Sequence, residues 1–164
     1  MKVLISLIYF VILVISIPAF AEKKAPYFEL LDEFGNTIKS TSLKGYPTVL
    51  IFWGVNCHSC KKDLPAMETL YERFKKKNVQ FFAIVMDSTD IEEIRERKSR
   101  WKFNIPVLIG NRKIMYKYRI IGVPITYILD KNMKIKKVLY GAQPPEKIEK
   151  ILIKLLKEDK TAKN

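Results

Sequence analysis

A single domain built on a central mixed β-sheet flanked by helices is the fold class that this sequence predicts, from three observations. Strand-like and helix-like segments alternate along the chain, the strand-like run Thr48 to Val55 leads uncharged toward a pair of cysteines, and the chain closes with a hairpin and an amphipathic helix. Alternation argues for parallel pairing through helical crossovers, and the closing hairpin adds antiparallel strands.

The chain opens with Lys2 and an uncharged run from Val3 to Ile17, followed by Pro18 and Ala19-Phe20-Ala21. That is the layout of a secretory signal peptide with small residues at the cleavage positions, so residues 1–21 are expected to be removed after Ala21. The alternative is an uncleaved anchor that associates the protein with a membrane through its N-terminus, because Val3 to Ala21 is about long enough to cross a hydrocarbon core of ~30 Å. Residues 22–157 then form the one folded domain and residues 158–164 a flexible tail.

Within that domain, Glu22 to Pro26 reads as a flexible leader. Tyr27 to Leu31 and Thr37 to Lys39 read as short strands, with Gly35-Asn36 supplying the positive backbone dihedrals of the turn between them. Thr48 to Val55 is rich in β-branched and aromatic residues, as a strand buried on both faces requires. Leu64, Met67, Leu70, Tyr71 and Phe74 recur at helical spacing, and Lys75 to Asn78 closes that helix with positive charge where the dipole favours it. Gln80 to Met86 is the next strand, and Ser88 or Thr89 caps a helix from Asp90 to Trp101. Ile105 to Ile109 is extended and Asn111 to Tyr118 helical. Ile125 to Leu129 and Ile135 to Leu139 pair as a hairpin across Asp130-Lys131-Asn132. Pro144 and Pro145 open the last helix, whose stripe of Ile148, Ile151, Leu152, Leu155 and Leu156 packs on the sheet.

The chemistry concentrates in Cys57-His58-Ser59-Cys60, at the junction between the central strand and the helix after it. At a helix N-terminus the free N–H groups and the macrodipole favour negative charge, which lowers a thiol pKa from ~8.5 into the range of about 3.5 to 7.5. Cys57 is therefore the expected nucleophile, and Cys60 lies within reach to resolve a mixed disulfide formed by Cys57. A structural zinc site needs four ligands, whereas the chain has two cysteines and one histidine, so no metal is expected. Haem attachment needs a histidine directly after the second cysteine, where Lys61 stands. A plain short-loop structural disulfide remains the alternative, although a staple does not require a helix N-terminus.

With 30 Lys+Arg against 17 Asp+Glu the formal net charge is +13. Such a charge suits acidic partners or anionic headgroups. The lysines are scattered along the sequence over turns and helix faces, which reads as solvated surface, and no nucleic-acid partner is expected.

Phe52-Trp53, three residues, then the two cysteines with Asp63 and Pro65 behind them, resembles the TlpA/ResA-like thiol-disulfide oxidoreductases of thioredoxin-like fold. The resemblance continues from Tyr118 through Gly122-Val123-Pro124 to Asp130 and covers nearly the whole chain after the signal, including an N-terminal β-hairpin extension. It implies that Pro124 is cis and faces the cysteines, with the Val123 backbone pairing with an incoming peptide. It places Trp53, Asn56 and His58 around the substrate, and makes Asp63 the group that handles the proton of Cys60. It implies no cofactor, protein disulfides as substrates, a membrane thiol carrier of the CcdA/DsbD type as electron donor, and an extracytoplasmic setting with apocytochrome c as one client.

Three departures from the family pattern bear on this. Asp63 stands where a glutamate is usual and is one methylene shorter, so its reach to Cys60 calls for a bridging water. Asn56 stands where tryptophan is common, leaving less apolar cover over the thiolate. His58 follows Cys57, whereas strongly oxidising relatives carry histidine just before the second cysteine; a cationic imidazole here would make the pair more oxidising. The leading expectation is a disulfide reductase. A peroxiredoxin-like peroxidase is the second, although Gly54 stands where those enzymes carry threonine, and a copper or haem-pathway chaperone using its thiols as ligands is the third.

Overall fold

The computed structural model describes residues 23–161, so the expected signal segment lies outside the described residues. The elements run β1 (Glu29–Leu31), β2 (Thr37–Lys39), β3 (Thr48–Trp53), α1 (Cys60–Phe74), β4 (Gln80–Val85), α2 (Ile91–Trp101), β5 (Val107–Ile109), α3 (Arg112–Lys117), β6 (Ile125–Leu129), β7 (Ile135–Tyr140) and α4 (Pro145–Thr161). The main sheet has the order β5-β4-β3-β6-β7. β3, β4 and β5 are parallel, while β6 runs antiparallel to β3 and β7 antiparallel to β6, which is the mixed sheet expected.

β3 is central because every one of its residues is apolar or a buried threonine, and all six are buried. Its alternate side chains feed two cores. Val49, Ile51 and Trp53 pack with Leu64, Met67, Leu70 and Phe74 of α1 and with Ile148, Leu152 and Leu155 of α4. Leu50 and Phe52 point the other way, onto Phe28, Leu30, Ile114 and Tyr118. The period of two along the strand thus becomes two layers on opposite faces of the sheet.

The small hairpin β1–β2 docks on the β5 edge through the bridge Asp32–Leu108, and Glu33, nearly buried, accepts hydrogen bonds from Val107 N–H (3.2 Å) and Lys98 Nζ (2.6 Å). This covers an edge strand that would otherwise present unpaired backbone groups.

Four local expectations are corrected. Lys23 to Pro26 is no free leader: Lys24 bridges Lys134, Ile135 N–H donates to Lys23 O (2.8 Å) and Ala25 N–H to Met133 O (2.7 Å), so this segment extends the β7 edge. In the hairpin turn only Gly35 takes a positive φ, at 87°, because Asp32 Oδ1 accepts from both Phe34 N–H and Asn36 N–H and closes the turn itself. The cap of α2 is Asp90, whose carboxylate accepts from Glu92 N–H (2.9 Å) and Glu93 N–H (3.3 Å); Ser88 instead accepts from Asp90 N–H and donates to the Glu93 carboxylate. The last helix continues to Thr161, so residues 158–161 of the expected tail are helical.

Candidate functional site

β3 ends at Trp53, and the loop Gly54 to Ser59 carries the chain to the first residue of α1, Cys60. Asp87, just beyond β4, shapes this loop. Its carboxylate accepts from Val55 N–H through Oδ1 (2.8 Å) and from Asn56 N–H through Oδ2 (3.3 Å), while Cys57 N–H donates to Gly54 O (3.2 Å). Gly54 is required by the same contact, because a Cβ there would lie 2.7 Å from Asp87 Oδ2. A carboxylate receiving two backbone N–H groups fixes a loop that has no regular structure of its own.

Cys57 and Cys60 form a disulfide with a Cα–Cα separation of 5.3 Å. The two sulfurs sit in different environments: Cys57 is half-buried at the mouth of the site, while Cys60 is fully buried beneath it. A client can therefore reach only Cys57. Cys60 N–H points at Cys57 Sγ (3.2 Å), a donor in place to stabilise negative charge on that sulfur once the disulfide opens. Cys57 Sγ also lies 3.6 Å from the Val123 carbonyl oxygen and 3.5 Å from Ser59 Oγ.

The Val123–Pro124 peptide bond is cis, and Pro124 is buried beside the cysteines with Val123 half-exposed in front of it. Gly141 N–H donates to Pro124 O (2.9 Å), and two residues on, Gln143 N–H donates to Asp63 Oδ1 (3.2 Å). One short loop after β7 thus holds both the cis-proline segment and the carboxylate on α1.

Asp63 is 4 % exposed, and its Oδ2 is buried without a hydrogen-bond partner among the described residues. Burial raises its pKa to about 6, against which the single N–H of Gln143 lowers it. One turn along α1 from Cys60, this carboxylate stands where it could accept a proton.

The structure thus brings together Cys57, Cys60, Asp63, Val123 and Pro124. Asn56 and His58 are exposed on the loop beside Cys57. Trp53 departs from expectation. It is 0 % exposed and packs edge-on against Trp101 and Phe103, because the period-two alternation of β3 turns it into the core beneath the loop rather than toward a client. Asp87 and the Gln143 N–H were missed from sequence. Asp87 lies 32 residues from Val55 and Gln143 80 from Asp63, and a lone aspartate at a strand end carries no local signal of what it will meet.

Residues 21–138 match the model of the AhpC/TSA family. The chain is 34 % identical over 134 residues to the thiol-disulfide oxidoreductase ResA of Bacillus thuringiensis (strain Al Hakam), an alignment covering 81 % of this chain and 77 % of that protein. The fold is also that of the crystal structure of a DsbE-type thiol:disulfide interchange protein from Chlorobium tepidum, with a TM-score of 0.75 at 22 % identity over 82 % of this chain and 96 % of the other. StoA from Bacillus subtilis aligns with a TM-score of 0.65 at 22 % identity, over 77 % and 96 % of the two chains.

Proposed function

Since the chain belongs to the AhpC/TSA family and is a thiol-disulfide oxidoreductase similar to ResA, we propose that it runs as a reductant of protein disulfides outside the cytoplasm. The observation that carries the direction of electron flow is Asp63, buried behind Cys60. A carboxylate ionised in a low-dielectric setting disfavours a nearby thiolate and so favours the disulfide form of the pair, which makes the dithiol the better electron donor. His58 pulls the other way, but it is exposed, and solvent weakens a charge there.

The cycle begins with the Cys57 thiolate attacking one sulfur of a client disulfide, releasing the other client sulfur as a thiol and leaving a mixed disulfide. The client lies along Val123 as an added strand, its cystine beside Cys57. Asp63, ionised above its pKa, takes the Cys60 proton, directly or through one water. Cys60 then attacks Cys57 Sγ, the client leaves as a dithiol, and the enzyme is left with the Cys57–Cys60 disulfide. Two electrons and two protons from a membrane thiol carrier of the CcdA/DsbD type restore the dithiol. Apocytochrome c is the client class that the family suggests.

The extracytoplasmic setting is supported by the uncharged run from Val3 to Ile17 and the Ala19-Phe20-Ala21 that ends it. The peroxidase reading loses support at Gly54, which has no hydroxyl and whose Cβ space the Asp87 carboxylate fills.

The test is the reduction potential of the pair, from equilibration with a glutathione series. A value near that of thioredoxin, about −270 mV, is expected; one near about −120 mV makes the protein an oxidant and overturns the reading.

A further inference from the structure

Lysines that are scattered in sequence are collected by the fold at one end of the sheet, opposite the cysteines. Five separate segments meet there. Lys44 lies just before β3, whose neighbour Gly45 N–H donates to Lys131 O (2.8 Å) in the β6–β7 turn. Lys24 enters beside Lys134 on the β7 edge. Lys24, Lys44, Lys131 and Lys134 line one open cleft of 590 Å³. Lys77, between α1 and β4, and Lys157, near the end of α4, rim a second cleft of 400 Å³ floored by Phe74, Ile153 and Leu156.

The acids at this end do not cancel the charge. Asp159 pairs with Lys131 (3.0 Å), Glu158 with Lys154 (3.9 Å) and Glu72 with Lys75, and Asp130 accepts the backbone N–H groups of Asn132 and Lys134. Lys24, Lys44, Lys77 and Lys157 are exposed and make no ion pair among the described residues. The apolar floor of the second cleft is itself partly open, with Ile153 39 % exposed. Lysine stems over exposed apolar surface, with ammonium heads at the rim, suit the boundary between headgroups and acyl chains.

We propose that this end of the molecule is a docking surface for anionic lipid headgroups. A bilayer is favoured over nucleic acid by what precedes the domain: the uncharged run from Val3 to Ala21, as export signal or as anchor, carries the domain across or onto a membrane, and after Glu22 the chain enters the fold at Lys23 and Lys24, within the basic end itself. The orientation follows whether that run is kept or removed. With the basic end on the membrane, the six residues of β3 carry the site about 20 Å away from the headgroups and aim Cys57 at the aqueous phase. A membrane carrier then meets Cys57 only when the domain tilts or lifts off.

The test uses the full chain on phosphatidylcholine vesicles with and without phosphatidylglycerol. The ratio of the two partition coefficients removes the contribution of the uncharged N-terminal run. The triple variant Lys24→Gln/Lys44→Gln/Lys77→Gln is compared with Lys61→Gln/Lys62→Gln/Lys113→Gln, which removes equal charge at the cysteine end. Each lysine removed from the basic end should lower the ratio about fivefold, the factor corresponding to ~1 kcal/mol per lysine at an anionic surface. The second variant should leave it nearly unchanged, and unchanged reduction of a soluble disulfide substrate shows that the first variant is folded. Equal loss in both variants means attraction by net charge alone and overturns the proposal. So does acetylation mapping in which duplex DNA, but not the anionic vesicles, protects Lys24, Lys44, Lys77 and Lys157.

Discussion

The two ends of β3 use charge in opposite ways. Beyond Trp53 the two charges that shape the site, Asp63 and Asp87, accept hydrogen bonds from backbone N–H groups. Before Thr48 the charges are many, exposed and held on flexible stems. Burial makes one carboxylate at the first end matter as an individual, since its pKa moves to about 6. Exposure makes each lysine at the second end nearly interchangeable, so that only their sum has an effect. Catalysis needs the first arrangement and long-range attraction the second.

The sharpest probe of the cysteine end is Cys60→Ser. With the buried sulfur gone, the mixed disulfide on Cys57 has no resolving thiol, and turnover should stop with clients held covalently. Non-reducing gels followed by mass spectrometry check this; the absence of any adduct on Cys57 would falsify the two-cysteine cycle.

Asp63→Asn comes next and should separate function from stability. Because the folded pKa of Asp63 is raised, ionising it costs folding free energy. That cost is absent below pH ~4, grows as pH rises, and is complete above pH ~6, where a shift of about two units amounts to ~2 to 3 kcal/mol. A neutral asparagine at this position carries no such cost, so the variant should be more stable than the parent at pH 8 and equal to it near pH 3.5, by urea denaturation. Its release of reduced client should be slower at pH 8, and the inflection near pH 6 in the rate profile should vanish. A stability difference from the parent that is the same at both pH values would show that Asp63 is solvated in the folded protein.

Asp87→Ala is smaller. It strips two loop N–H groups of their acceptor, worth ~1 to 3 kcal/mol if they stay unsatisfied. The loss should appear as lower stability and a shifted reduction potential together, because the loop that holds Cys57 loosens. Loss of stability with an unchanged potential would reduce Asp87 to a structural tie.

How much of this could be read from the sequence depended on the range of the interactions. β3, the helical stripe of α1 and the cysteine pair were legible because each is a local pattern of a few adjacent residues. The cis-proline followed from the resemblance carried by Tyr118 to Asp130. Trp53 was misjudged because the resemblance placed it around the substrate, whereas strand alternation sends it into the core. The contacts of Asp87 and Gln143 join segments that only the sheet brings together. The basic end was invisible for the same reason, since lysines spread from Lys24 to Lys157 read as ordinary solvated surface until five segments are placed side by side.

That basic end supplies the smallest effect and the strictest check on the contrast between the two ends. Lys44→Gln removes an exposed charge with no ion pair among the described residues, so folding stability should change by less than about 0.5 kcal/mol, while Lys77→Gln also gives up its contact over the Phe74 ring (4.9 Å) and should cost about 0.5 to 1 kcal/mol. Reduction of a small soluble disulfide should be unaffected in the absence of lipid, because β3 holds these groups about 20 Å from Cys57, beyond a Debye length of ~8 Å at physiological salt. The measurement is the rate of insulin reduction at low and at physiological salt. If the rate falls at both, the lysines act on the site through the fold, and the division of labour between the ends of β3 fails. If it falls only at low salt, the field of the basic end reaches Cys57 unscreened, and the two ends are electrostatically joined in dilute buffer but separate under physiological conditions.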